Sequence, residues 1–358
     1  MIGGVAIGRN EGEGVRACLA SARRDCAAVG YVDSGSIDGS AELAKSLGVH
    51  VVDLDLSKPF TAARARNEGF AKLKEIDPKM DAVQFVDGDC EIVQGWIEKA
   101  KAELEAIPKA AVICGRRRER FPTASIYNKL CDLEWNTPIG PAIACGGDAL
   151  IRTTAFEEVG GYDPAVIAGE EPEMCVRLRE KGWTVHRIDA EMTLHDAAIT
   201  RFSQWWKRSL RSGHAYAQGY FLHGTQTEKN RDGDGSYRTQ PFRRREIKSI
   251  EKWVTVPILL TLVSVAVLSA VARHWCFLGF LPLLLYPLLA IKVAGDRLGR
   301  ELPGETAADA ALYGIFVVLG KFPQWFGIRR FRSAQKRGER VGLIEYKGPQ
   351  GLHVGNRT

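Results

Sequence analysis

Four polar clusters in this sequence combine residue types and spacings that could do chemistry. In the first, Val32-Asp33-Ser34-Gly35-Ser36-Ile37-Asp38-Gly39-Ser40, a carboxylate is followed by small residues. That suits a pocket accepting the N–H or O–H groups of a flat polar ligand; Asp38 and Ser40 are also placed to cap a following helix, which leaves Asp33 as the ligand candidate. In the second, Asp87-Gly88-Asp89 behind the apolar Phe85-Val86, two carboxylates one residue apart can hold Mg2+ or Mn2+ together with substrate phosphates. Asp-Gly pairs also form ordinary turns. The third, Glu170-Glu171-Pro172-Glu173, crowds three acids, and crowding raises a carboxyl pKa; acids at the positive end of a helix would read the same way. The fourth joins His195, a metal ligand or a structural histidine, to the stretch holding Trp205, Trp206, Arg208 and Arg211. The two arginines, three apart, share a helical face and could clamp phosphates, while tryptophans beside cations suit a membrane interface.

The elements that must position these residues alternate. Strands are expected at Gly4–Ile7, Ala28–Asp33, Val49–Leu54 and Ala82–Val86, with helices over 14–22, 40–47 and 64–74 between them. Such spacing implies right-handed βαβ units, an α/β class and a mostly parallel sheet flanked by helices. Ligands of open sheets gather beyond the carboxyl ends of the strands, where Asp33 and Asp87 fall. With 45% hydrophobic and 26% charged residues, a sizeable core is available and neither number suggests disorder. Eight cysteines without a paired spacing read as buried reduced thiols, not as a disulfide or zinc framework. The N-terminus reads as the first strand, so no signal peptide is expected.

Past residue 200 the character changes. A polar linker, Thr225–Tyr237, leads through Arg243, Arg244, Arg245, Lys248 and Lys252 to two uncharged apolar runs, Trp253–Ala272 and Trp275–Ile291. The first is long enough to cross a bilayer and the second is at the lower limit. Basic residues before the first and after the second (Lys292, Arg297, Arg300) predict a membrane hairpin with both ends in the cytosol, and make a nucleic-acid partner the poorer explanation of the net charge of +6. A third stretch, Ala307–Phe326, is interrupted by Asp309 and Lys321 and is expected at the membrane surface. The expected organisation is a catalytic domain over 1–222, a polar and basic linker over 223–252, the hairpin over 253–295, and an amphipathic helix with a basic tail over 296–358.

Taken in order, Ile7-Gly8-Arg9-Asn10-Glu11, the Asp33 cluster, Ala65-Arg66-Asn67-Glu68-Gly69, Asp87-Gly88-Asp89, Cys145-Gly146-Gly147-Asp148, Val159-Gly160-Gly161-Tyr162-Asp163 and the Glu170 cluster resemble the family 2 glycosyltransferases, which have the GT-A fold. The resemblance implies a nucleotide-sugar donor and Mg2+ or Mn2+. It places Asn10, Glu11, Asp33, Arg66, Asp87, Arg208 and Arg211 on the donor side, with Asp33 on the nucleotide base. It implies Asp89, Asp87 and His195 as metal ligands, Glu171 as catalytic base with Glu170 contributing, and Gly146, Gly147, Asp148 and Glu173 on the acceptor side. Glu171 stands where the family usually has Asp. With the hairpin, a polyprenyl-linked acceptor and a cytosol-facing domain on the inner membrane are expected. Rival readings are a non-catalytic nucleotide-sugar-binding subunit, a sugar nucleotidylyltransferase, for which the N-terminal loop is a poor phosphate loop, and a processive synthase, for which two spans make no channel and Gln204-Trp205-Trp206-Lys207-Arg208 is a loose match.

Overall fold

The apolar runs and the amphipathic helices between them fold as their periods require. In the computed structural model, which describes residues 1–224, 227–231, 237–300, 302–339 and 342, β1 (Ile2–Gly8), β2 (Ala28–Asp33), β3 (His50–Asp53) and β4 (Ala82–Asp87) pair in parallel. The helices Gly14–Asp25, Ser40–Ser46 and Ala62–Ile76 are the crossovers that parallel pairing demands. Gly8 lies opposite Asp33 and Ile7 opposite Asp87, so both acids stand at the carboxyl rim on either side of β1.

β5 (Cys90–Ile92), β6 (Ala110–Glu119), β7 (Gly140–Ala142), β8 (Ala149–Arg152) and β9 (Thr184–His195) extend the sheet in the order β3-β2-β1-β4-β8-β6-β9-β5, with β7 on β9. Here β8 runs antiparallel to β4 and β6, β5 and β7 run antiparallel to β9, and β6 is parallel to β9. The mostly parallel sheet expected from the sequence therefore holds for the first four strands and gives way to a mixed one. A connection such as Gly88–Asp89 between β4 and β5 is too short for a parallel crossover.

Helix Ala62–Ile76 lies unusually close to the sheet. A Cβ at Gly69 would stand 2.5 Å from Val5 Cγ1 and 2.9 Å from Val32 Cγ2. The helix starts at Thr61, whose hydroxyl accepts from Arg64 N at 3.1 Å and donates to Pro164 O at 3.0 Å. Asn67 clasps the backbone of Tyr162 through both its amide atoms, at 2.7 and 3.0 Å. These contacts explain most of the Arg66-Asn67-Glu68-Gly69 motif: they set the first turns of the helix, and Arg66 with them, over the carboxyl rim. All eight cysteines are free and seven are buried.

The chain divides into two units at Arg201–Phe202. The second contains helix Phe202–His223, an antiparallel ribbon of β10 (Thr227–Arg231) and β11 (Tyr237–Pro241), helix Arg244–Val271, the segment Arg273–Leu298 and helix Ala307–Arg337. The ribbon occupies part of the expected polar linker; the rest of that linker and nearly all of the tail lie outside the described residues. Three stretches, Arg244–Val271, Arg273–Leu298 and Ala307–Arg337, are long and apolar enough to cross a membrane, one more than the hairpin expected. The marginal second run gains length from its winding: Arg273–Leu284 is a 3-10 helix, which rises about 2.0 Å per residue instead of about 1.5 Å. Gly279 faces Val265, where a Cβ would come within 2.6 Å, so the two arms of the hairpin touch backbone to backbone.

Replacing a helix-interior glycine by alanine ordinarily stabilises by about 1 kcal/mol. At Gly69 the methyl meets two stiff valines, so Gly69→Ala is expected to destabilise the first unit instead, by about 1–3 kcal/mol, read as a lower melting temperature of the purified protein. A higher one would contradict the close packing.

Candidate active site

Arg66 is the centre of the rim. It is 2% exposed, donates from Nη1 to Glu170 Oε1 at 2.7 Å and from Nη2 to Asp87 Oδ1 at 2.7 Å, and its Nη2 lies 3.7 Å from Glu171 Oε1. The Tyr162 ring flanks the guanidinium at 5.5 Å. Helix Glu170–Glu180 supplies the glutamates from its first turn, after Gly169 in a left-handed conformation (φ 80°). A solvated helix start is thereby excluded: Glu170 and Glu173 are buried and the Glu171 side chain is only 15% exposed.

The three glutamates have separate fates. Glu170, expected to share in catalysis, is held by Arg66. Glu173, expected on the acceptor side, turns along its own helix into a two-point pair with Arg177, at 2.8 and 2.6 Å. Glu171 remains. Burial pushes its carboxyl up to about 7, with further push from Glu170 and an opposing pull from Arg66. A carboxyl titrating near neutrality can take up a proton from a hydroxyl and give it back, the property a general base needs. Gly147 packs directly against this centre: a Cβ there would stand 2.8 Å from Arg66 Nη2, 2.8 Å from Asp87 Oδ2 and 3.1 Å from Glu171 Oε1. Gly146, next to it, faces open space.

On the other flank Asp33 Oδ2 accepts from Gly35 N and Ser36 N at 3.0 and 2.8 Å, so its carboxylate is oriented by the loop that follows it. Asn10 (φ 58°) donates from its N–H to Ser36 Oγ and accepts from Ile37 N, both at 2.9 Å, tying the loop after β1 to the loop after β2. Asp38 accepts from Gly12 N and from Ser40 N, closing the same junction from below, although the helix cap itself is Gly39. Glu11 lies against Gly88, where a Cβ would stand 3.1 Å from its Cγ, beside the Asp87–Asp89 turn.

Asp89 and His195 meet because β5 and β9 pair with Cys90 opposite His195. His195 Nε2 lies 3.2 Å from Asp89 Oδ2, and Asp196 N donates to Asp89 O at 3.1 Å. Asp89, Cys90 and His195 each bring one ligand atom within 4.8 Å of the others. Asp89 and His195 offer a carboxylate oxygen and an imidazole nitrogen beside the buried Cys90, and the carboxylate is a donor of the kind Mn2+ and Mg2+ take. Asp87 itself, expected among the ligands, gives one oxygen to Arg66 and the other to Arg117 (Nη2, 3.2 Å), and these guanidiniums hold its carboxyl below the usual range despite burial.

Arg117 was not anticipated from the sequence. It sits on β6 in the run Arg116-Arg117-Arg118-Glu119, and the two-residue period of a strand sends 117 and 119 to the face opposite 116 and 118. Asp148, expected to face the acceptor, is fully buried: it accepts from Asp87 N (3.0 Å), Arg117 Nε (2.8 Å) and Thr193 Oγ1 (2.6 Å), and so braces the site from beneath. Arg208 and Arg211 lie on helix Phe202–His223 of the second unit, both half-buried.

The profile of the family described as Glycosyl transferase family 2 matches residues 7–160, from β1 through the Gly160 turn; Glu171 and His195 lie beyond it. Among curated proteins, the glycosyltransferase AglE of Haloferax volcanii is 22% identical over 227 residues, 60% of this chain and 72% of that protein. The pre-mycofactocin glycosyltransferase of Mycobacterium tuberculosis is 27% identical over 224 residues, 57% of this chain and 44% of that protein, so the likeness spans under half of its length. Among solved structures, a mannosyltransferase from Pyrobaculum calidifontis in complex with GDP-Man and Mn2+ aligns over 94% of this chain and 86% of its own at 15% identity and a TM-score of 0.46, too loose a likeness to speak to chemistry. The family match over residues 7–160 and the rim of acids on a mixed α/β sheet agree: that stretch is a family 2 glycosyltransferase domain, and an enzyme is what it supports.

Proposed function

We propose that this enzyme transfers a glycosyl group from a nucleoside-diphosphate sugar to a hydroxyl of a lipid-linked acceptor, inverting the anomeric carbon, at the cytosolic face of the inner membrane. The observation that carries the proposal is Glu171: a carboxyl raised to about 7, 3.7 Å from Arg66 and packed against Gly147. Glu171 removes the proton of the acceptor hydroxyl. The freed oxygen attacks the anomeric carbon from the side opposite the diphosphate; the carbon–oxygen bond to the diphosphate breaks, and its electron pair leaves with the diphosphate. Asp33, oriented by Gly35 and Ser36, accepts from the nucleotide base. Asp89 and His195 would hold a divalent cation, which when bound stabilises the charge of the leaving diphosphate.

The second unit supports a membrane acceptor. Helix Arg244–Val271 and segment Arg273–Leu298 expose Leu259, Leu262, Val263, Phe277, Phe280 and Leu284, as lipid-facing surfaces do. Basic residues at both outer ends favour the cytosolic side for those ends. Helix Ala307–Arg337 differs. A third of its most apolar window is buried by protein, against 17% and 11% for the other two stretches. It packs against helix Phe202–His223, Trp205 on Phe316 at 5.0 Å and Gly213 on the backbone of Gln324. A full crossing would carry Lys207, Arg208 and Arg211 of that neighbour toward hydrocarbon, at about 2.5–3.5 kcal/mol each. That cost favours a position at the surface for this helix, with the hairpin alone crossing.

Glu171→Gln should abolish transfer while leaving donor binding nearly intact, whereas Glu171→Asp, restoring the family's usual residue, should retain part of the activity; equal loss of binding and turnover in Glu171→Gln would make the residue structural. In the wild type, kcat/KM should fall as pH drops through about 7, where Glu171 takes up its proton. The raised value also means that the folded protein keeps a proton the unfolded chain loses, so stability declines between the ordinary value of 4.5 and about 7 and stays reduced above it. Glu171→Gln removes that cost, and its melting temperature should exceed the wild type's by more at about pH 8 than at about pH 5. Purified enzyme should glycosylate polyprenyl-linked acceptors in membrane extracts; activity on water-soluble acceptors alone would refute the lipid-linked assignment.

A further inference from the structure

We infer that Arg117 is a positioning residue that, with Arg66, keeps Asp87 out of the cation's coordination shell; the inference rests on the proposed reading of Asp89 and His195 as the cation's ligands. Each oxygen of Asp87 has its own arginine: Oδ1 takes Arg66 Nη2 at 2.7 Å and Oδ2 takes Arg117 Nη2 at 3.2 Å. Arg117 cannot drift from this place. Its Nε and Nη2 lie 2.8 and 2.7 Å from Asp148 Oδ2, a carboxylate with no exposed surface, and its guanidinium stacks over Trp135 at 5.4 Å. Asp148 also receives the N–H of Asp87 at 3.0 Å, so one buried acid fixes both the backbone of Asp87 and the arginine that turns its side chain.

Without that hold Asp87 has somewhere else to go. Ligand atoms of Asp87, Cys90 and Asp148 lie within 4.8 Å of one another, and so do those of Asp89, Cys90 and His195, so the two groups adjoin across Cys90. A second carboxylate on the cation would neutralise charge that the donor's diphosphate needs to find there. By occupying Asp87, Arg117 trades cation affinity for attraction to the diphosphate, and leaves the two remaining lone-pair sites of the Asp87 carboxylate for donor hydroxyls.

The test measures Mn2+ binding to the full-length protein in detergent, without donor, by the electron paramagnetic resonance signal of free Mn2+. Arg117→Met should bind Mn2+ about ten-fold more tightly than the wild type while kcat falls. Should Arg117→Met fail to fold because Asp148 is left as a buried unpaired charge, the double variant Arg117→Met/Asp148→Asn removes charge and countercharge together and should show the same gain at unchanged net charge. Adding Asp87→Asn should cancel the gain in either background. Unchanged or weaker Mn2+ binding in the folded variants overturns the positioning role, and so does a gain that survives Asp87→Asn. His195→Ala separates the two readings. Equal Mn2+ binding by His195→Ala and the wild type sinks the cation site itself, whereas a His195-dependent site indifferent to Arg117 sinks only the positioning role.

Discussion

A buried guanidinium must be paired, and Arg66 is the buried guanidinium around which this enzyme is organised. Taking a charge out of water costs several kcal/mol unless partners compensate, and removing one partner of such a pair typically costs about 3–5 kcal/mol. Arg66 meets that demand with Asp87 from the end of β4 and with Glu170 from a helix a hundred residues later, Glu171 standing close by. Satisfying one charge thus draws three distant segments to one point of the rim. The same arrangement leaves Glu171, which Arg66 approaches only to 3.7 Å, buried, crowded by Glu170 and raised to about 7.

Around that centre the site is built in tiers. Asp148 and Arg117 lie beneath Asp87, and Asp148 is locked in turn by Thr193 of β9. Asp89 and His195 are aligned by the β5–β9 ladder, a pairing that involves no side-chain chemistry. On the far side of β1, Asn10 and Asp38 bind the loops after β1 and β2 to each other and keep Asp33 in place. Each tier fixes groups before any substrate arrives, the preorganisation that electrostatic catalysis requires.

What the sequence made legible was local. Strands and crossovers through β4 came from short apolar runs, and Asp33, Asp87 and Asp89 could be placed at the carboxyl rim because strand ends precede them directly. The hidden parts depend on pairing between remote segments. Arg117 lies in a run of three arginines with no motif around it, and only the pairing of β6 with β8 and β9 turns it inward toward Asp148. Asp148 and Glu173 looked like pocket acids, yet each is consumed by an arginine, one from another strand and one from its own helix. The antiparallel half of the sheet was hidden for the same reason: β5, β7 and β8 are three or four residues long, too short for an alternation to show. In the second unit, hydropathy found the hairpin but not the 3-10 winding that lengthens its second arm.

The central claim is that one carboxylate, Glu171, drives a single displacement at the anomeric carbon. The anomeric configuration of the first-formed product tests it most directly, read by proton NMR during turnover of whichever uridine- or guanosine-diphosphate sugar the enzyme accepts. A single displacement converts an α-linked donor into a purely β-linked product. A product that keeps the donor's configuration, or a mixture of the two from the first turnovers, would contradict the role given to Glu171.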